Sequence, residues 1–313
     1  MIISASRRTD IPTYYSDWFM KRIQEGYVFV RNPMNAHQIS RISLRPDVVD
    51  GIVFWTKNPT PMLQKLSLLS EYVFYFQFTL NAYDTDIEVN IPNKQRYIIP
   101  AFRKLSDCLG KERVIWRYDP ILLNDKYTID YHVRYFEELA KRLSPYTEKC
   151  TISFLDIYQK MQRTTTHGQI RSPSVEEQII LAEKLASIAH SYGLDIDTCA
   201  EIIDLERFGI QHARCIDDRL FERLLGYPLH VKKDKSQRLE CSCIESVDIG
   251  VYNTCRNLCQ YCYANHSEKA VLNNGEKHFV DSPLLIGTVD ADDKITERKM
   301  TSYKVLQMQI DMK

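Results

Sequence analysis

Short, almost continuously apolar runs alternate with amphipathic stretches along the first two thirds of the chain. The runs fall at 2–5, 51–56, 72–79, 114–118, 150–155 and 196–200. Runs of that length and texture predict strands covered on both faces. Between them, apolar residues recur at helical spacing. A helix is predicted from Ser16, a suitable N-cap, to Glu25, closed by Gly26. Further helices are predicted over 61–69, 93–109 and 129–143, the last with Val133, Phe136, Leu139, Ala140 and Leu143 on one face. Ser172-Pro173 opens the clearest helix, with proline expected at its first position and Gly193 at its end. Residues 27–30 and 39–44 predict a small paired excursion around an Asn32-Pro33 turn.

Strands that alternate with helices are joined by crossovers and run parallel. Six such units predict an α/β fold, a partial (β/α)6 TIM-like barrel over residues 1–204. The texture changes after residue 204. A helix is expected over 216–225, a charged loop over 231–240, and a polar, weakly structured tail from 289 onward. No strong strand is visible there, so a full eight-unit barrel is not expected. Residues 205–313 read instead as a C-terminal cysteine-rich cap carrying the iron–sulfur site proposed below. The polar stretch 159–169 follows the fifth strand, and no internal repeat is found.

Composition narrows the function classes. The 313 residues carry 41 basic and 41 acidic side chains, so no global field recruits nucleic acid or an anionic membrane. The apolar fraction of 44% is ordinary for a globular protein, and no apolar run is long enough to span a bilayer. The first residues read as a strand rather than a signal peptide. Five of the nine cysteines crowd into 241–262, unlike a disulfide framework spread through a secreted domain. Metal ligation in a reducing cytoplasm is the expectation.

The densest chemistry is Cys255-Arg-Asn-Leu-Cys259-Gln-Tyr-Cys262, a C-x3-C-x2-C spacing with Tyr261 directly before its last cysteine. Three thiolates on one loop can hold three corners of an iron–sulfur cube and leave the fourth iron open. A zinc knuckle completed by Cys241 or Cys243, or a group of buried thiols, is the alternative reading. At these residues the chain resembles the radical S-adenosylmethionine (SAM) superfamily, whose signature has an aromatic where Tyr261 stands. The resemblance implies a four-iron four-sulfur cluster on Cys255, Cys259 and Cys262, with SAM on the open iron and its adenine beside Tyr261. That superfamily carries its motif early, on the first strand's loop, and a Gly-Gly-Glu word after the second strand; here the motif is late and the word is absent. The words Ser-Ala-Ser-Arg-Arg-Thr-Asp, Trp-Thr-Lys-Asn-Pro and Trp-Arg-Tyr-Asp-Pro resemble an uncharacterised bacterial family, domain-of-unknown-function family 1848, which shares the late cysteine cluster.

In barrels the loops after the strands gather at one face and carry the functional groups. Here six strands in succession end in polar residues: Arg7 to Asp10, Lys57, Gln77 with Thr79, Arg117 with Asp119, Asp156, and Glu201. Arg7, Lys57, Arg117, Asp119 and Glu201 are the candidate catalytic residues; Gln77, Thr79 and Tyr261 are candidates for cofactor contact. Caps and ion pairs are the plainer use for any one of them. Cys199, Cys215, Cys241 and Cys243 could hold a second iron–sulfur cluster or be buried thiols. Cys108 and Cys150 read as core residues, the histidines as surface or supporting residues, and His212 alone as one to follow. The expected function is a radical SAM-type enzyme acting on a small-molecule substrate, with an electron donor such as flavodoxin or ferredoxin. The alternatives are an iron–sulfur electron-transfer or sensing protein, and a metal-dependent barrel hydrolase with a zinc-binding cap. The cysteine loop must then fold back onto the strand ends.

Overall fold

The computed structural model of the chain describes residues 1–156 and 170–305; the polar stretch 159–169 lies outside them. The fold is α/β. Eight parallel strands form one sheet in the order β10-β1-β4-β5-β6-β7-β8-β9. Six of them are strands predicted above: β1 (Ile2–Ala5), β4 (Gly51–Thr56), β5 (Phe74–Thr79), β6 (Val114–Ile121), β7 (Lys149–Phe154) and β8 (Asp195–Thr198). The other two, β9 (Gln211–His212) and β10 (Val247–Asp248), come from the stretch expected to hold no strong strand. They extend opposite edges, β9 on β8 and β10 on β1.

Each central strand splits its residues between two apolar layers, which is why the strands read as unbroken runs. One face sends Ile3, Phe54, Phe76, Trp116 and Ile152 into the main core. The helices Ser16–Glu25, Ile99–Leu109, Ile129–Leu143 and Val175–Ser191 contribute Trp18, Phe102, Phe136 and Leu185 to that layer. The other face carries Ile2, Val53, Tyr75 and Ile115, and it is covered by the C-terminal part of the chain: Ile216, Leu220, Phe221, Cys243 and Ile244. The helix Asp218–Leu225 therefore lies on the sheet face a closed barrel would keep inside. Its Phe221 ring sits against Gly51, where an added Cβ would fall 2.1 Å from a ring carbon. Gly51→Ala is expected to destabilise the protein by about 1–3 kcal/mol, the usual cost of overpacking. Urea unfolding checks this; an unchanged midpoint would show that the contact does not constrain the helix.

Several element boundaries differ from expectation. Pro173 precedes the helix Val175–Ser191 instead of occupying its first turn, because Ser174 caps it in a capping box with Glu177. The tail is not unstructured: β11 (Lys294–Glu297) pairs parallel with β3 (Asn35–Ser43), which pairs antiparallel with β2 (Tyr27–Asn32). Cys108 is exposed rather than a core residue, whereas Cys150 is buried. No helix among the described residues is long and apolar enough to cross a membrane.

Most of the histidines were expected at the surface or in supporting positions; His132 is fully buried. One ring nitrogen, Nε2, faces the carbonyl of Leu122 at 2.8 Å; Nδ1 faces the Tyr118 hydroxyl at 2.8 Å. A carbonyl only accepts, so Nε2 carries the proton and Nδ1 accepts from Tyr118. Burial holds the imidazole neutral and lowers its pKa to about 4. The unfolded ring titrates near its ordinary 6.5, so between these values the unfolded state binds more protons. Stability is complete above about pH 6.5 and falls as the pH drops towards 4, by at most about 3 kcal/mol. Urea titrations at pH 7 and pH 4.5 should show the loss, and His132→Gln should flatten it. An equal slope in the variant would assign the loss elsewhere.

Candidate functional site

The polar strand ends and the cysteine-rich segments line one cavity of about 420 Å³. Arg7, Lys57, Thr79, Arg117, Asp119, Asp156, Glu201 and Tyr261 contribute to its wall, as do all seven cysteines of the two expected sets. Gln77 is buried behind this wall, where it receives Arg117 and donates to the carbonyl of Cys215 at 2.8 Å. His212 is exposed on β9. The late motif and the early strand ends are thus brought together from opposite ends of the sequence.

The motif loop is fastened to those strand ends by side chains distant in sequence. Tyr14 donates to Asn257 Oδ1 and Tyr15 to the carbonyl of Thr254, both at 2.7 Å. Asn90 donates to the carbonyl of Arg256 at 2.7 Å, and Gln260 N–H reaches the carbonyl of Ile87 at 2.9 Å. Tyr263 donates to the carbonyl of Arg7 at 2.7 Å. Within the loop, Leu258 takes a left-handed φ of 51°, a conformation that bulky residues rarely adopt unless the surroundings impose it. Asp10 ties three segments together. Its buried carboxylate accepts from Thr56 Oγ1 and Lys57 N–H at 2.8 Å, from Thr13 N–H at 3.0 Å, and from Asn257 Nδ2 at 3.3 Å.

Beside Cys259 lies a buried charge cluster. Lys57 Nζ stands 2.7 Å from both Glu88 Oε1 and the Tyr261 hydroxyl, and Lys94 closes on Glu88 Oε2 at 2.5 Å. Burial works against every charge here. Lys57 and Lys94 outweigh it at Glu88 and hold that carboxylate down to about 2; Glu88 in turn raises Lys57. Glu88 also shares a β-bridge with Cys259, so the cluster and the motif loop are one unit. Burial raises the thiols of Cys255, Cys259 and Cys262, Cys259 to about 12, with Lys57 pulling the last two back.

The opposite wall is built on Arg117. Its guanidinium grips Asp119 through Nε at 2.8 Å and Nη2 at 2.5 Å, and spans from Gln77 Oε1 at 3.2 Å to Cys215 Sγ at 3.0 Å through Nη1. Cys199 Sγ lies 3.1 Å from Cys215 Sγ. Hydrogen bonds from Cys199 and Cys243 hold Cys215 well below the usual thiol range, with Arg117 adding to the effect. Cys241, bonded by Cys243, is lowered to about 6. Ala200, at a left-handed φ of 55°, turns the chain between Cys199 and Glu201, and both line the cavity. The Glu201 carboxyl accepts from Phe154 N–H at 2.7 Å, yet burial pushes it up to about 7. Arg7 stacks over Trp55 with its guanidinium carbon 5.7 Å from the ring centre, and its Nη2 lies 3.8 Å from Asp234 Oδ2.

Among the described residues, no three His, Cys, Asp or Glu side chains stand grouped to hold one metal ion. Each thiolate of an iron–sulfur cluster ligates a different iron, so a cluster would not require the three motif sulfurs to converge on one point. The donor set is soft, comes from one loop and faces the cavity, with a lysine at hand to offset its charge.

Asp10, Asn81, Glu88, Asp248 and Asn257 support the site without having been expected to. Asp248, for example, accepts from Ser4, Ser6 and the Arg7 N–H at 2.7–2.9 Å. Asp10 stood inside the polar word at the end of β1 and Asn257 inside the motif loop; Asn81, Glu88 and Asp248 carry no local signal.

A family model described as a domain of unknown function, DUF1848, matches residues 2–264. No curated protein matches the chain. Among solved structures, one from Bacteroides thetaiotaomicron VPI-5482, provisionally described as an alpha-L-fucosidase, is similar at 13% identity and a TM-score of 0.24. The match covers 58% of this chain and 85% of that one.

Proposed function

The chain belongs to the DUF1848 family, and we propose that it is a radical SAM-type enzyme whose cluster is held by Cys255, Cys259 and Cys262. One observation carries the reading: these three thiols line the same cavity as Arg7, Lys57, Arg117, Asp119 and Glu201. A cluster with bound SAM, when present, supplies a one-electron source and a carbon radical able to take hydrogen from a substrate. The protein's own share is to bind, orient and shield. The thiols, raised by burial, release their protons on binding metal, so loading is favoured by higher pH. Lys57 offsets negative charge at Cys259. Arg7, stacked on Trp55, offers a planar cation to an anionic group of the substrate. Glu201, titrating about 7, can take or return a substrate proton near neutral pH. The substrate is a small molecule by the size of the cavity.

Anaerobic reconstitution with iron and sulfide, followed by SAM and dithionite, tests the proposal. Formation of 5′-deoxyadenosine supports it. A reducible cluster without that product would leave electron transfer or sensing, and zinc in place of iron would overturn it.

A further inference from the structure

The Cys199–Cys215 pair lines the cavity beside Cys243, which also hydrogen-bonds Cys215. The pair's sulfurs touch, at 3.1 Å, and a guanidinium N–H points at one of them from 3.0 Å. Cys215 is held from behind: its carbonyl accepts from the Tyr75 hydroxyl and from Gln77 Nε2, both at 2.8 Å. Cys199 is held by the end of β8 and by the left-handed turn at Ala200. Arg117 is itself fixed by Asp119 and Gln77 and so cannot swing away from the sulfur. Two thiols in contact, one facing a cation and both lining an accessible cavity, have the attributes of a reactive dithiol.

We propose that Cys199 and Cys215 form a redox-active dithiol that reduces low-molecular-weight disulfides entering the cavity. The inference does not rest on the cluster reading. Cys215 thiolate attacks one sulfur of the disulfide, forming a mixed disulfide and expelling the first thiolate. Cys199, giving its proton to solvent, attacks Cys215 Sγ and expels the second. The pair loses two electrons and becomes an intramolecular disulfide; the external disulfide gains both and leaves as two thiols.

The test uses the full chain, purified and reduced under anaerobic conditions, with 2-hydroxyethyl disulfide as the probe. Alkylation and peptide mass mapping should show about two thiols per chain lost, joined as a Cys199–Cys215 disulfide, with two small thiols released. Cys199→Ser should stop at a stable adduct on Cys215, and Cys215→Ser should form neither adduct nor disulfide. Wild-type protein in which both cysteines remain open to alkylation overturns the proposal, and needs no variant to fold. So does protein that binds about eight irons and loses half with Cys215→Ser, because a second four-iron cluster would then occupy the pair.

Discussion

Cys259→Ala should leave the anaerobically reconstituted protein without cluster absorbance and with 5′-deoxyadenosine formation at background. Cys259 is the motif thiol bound most closely into the surrounding structure, through its bridge to Glu88 and its proximity to Lys57. Its neighbours in the motif cannot replace it. Cys255 and Cys262 are set by separate turns of the loop, and a three-ligand cluster reduced to two has no further thiolate on the same segment. Cys255→Ala and Cys262→Ala should behave alike, whereas Cys108→Ala, at an exposed helix position, should leave the iron content unchanged. Normal iron and absorbance in any one of the three motif variants would remove that residue from the ligand set.

The second large effect falls on stability. Glu88→Gln is expected to lower unfolding free energy by about 3–5 kcal/mol, the usual result of removing one partner from a buried ion pair. The side chain is 2% exposed and faces two lysines, so the variant leaves two ammonium groups close together without a counter-charge. Wild-type Glu88 titrates at about 2 when folded and at its ordinary 4.5 when unfolded. Its contribution is therefore complete above about pH 4.5 and disappears as the pH falls through 2. This window lies below that of His132, so a urea series across both ranges separates them. Lys94→Met added to Glu88→Gln should recover part of the loss. A Glu88→Gln variant within about 1 kcal/mol of wild type would mean that water relieves the lysines.

The elements legible in the sequence were those whose burial is periodic. The helix Ile129–Leu143 and strand Gly51–Thr56 lie where the apolar pattern put them, because the helix buries one face and the strand is buried on both. β9 and β10 are two residues long, too short for alternation to register, and depend on the strands they border. β11 escaped for the opposite reason: all four of its residues are exposed, and it is held by its pairing with β3 and by polar contacts such as Glu297 with Arg41 at 2.6 Å. Ser174 was readable, since Glu177 three residues on completes the capping box; the proline beside it was the more conspicuous and less informative signal. At the site, the cysteine spacing was visible because all three residues fall within eight positions of one loop. Glu88 was invisible because its importance comes from Lys57 and Tyr261, which are distant in sequence and adjacent only after folding.

The position of β10 has a consequence for how the protein is made. β1 leaves the ribosome more than two hundred residues before 247–248, yet its outer edge is covered only when those residues arrive. Until then the growing chain holds an apolar strand with one edge unpaired, the kind of template on which chains associate. The motif thiols emerge later still, and most of the residues that seat their loop have already been synthesised. The motif loop can therefore be seated only after the central strands of the sheet have been made. Chains released before that point should be recovered as aggregates or bound to chaperones.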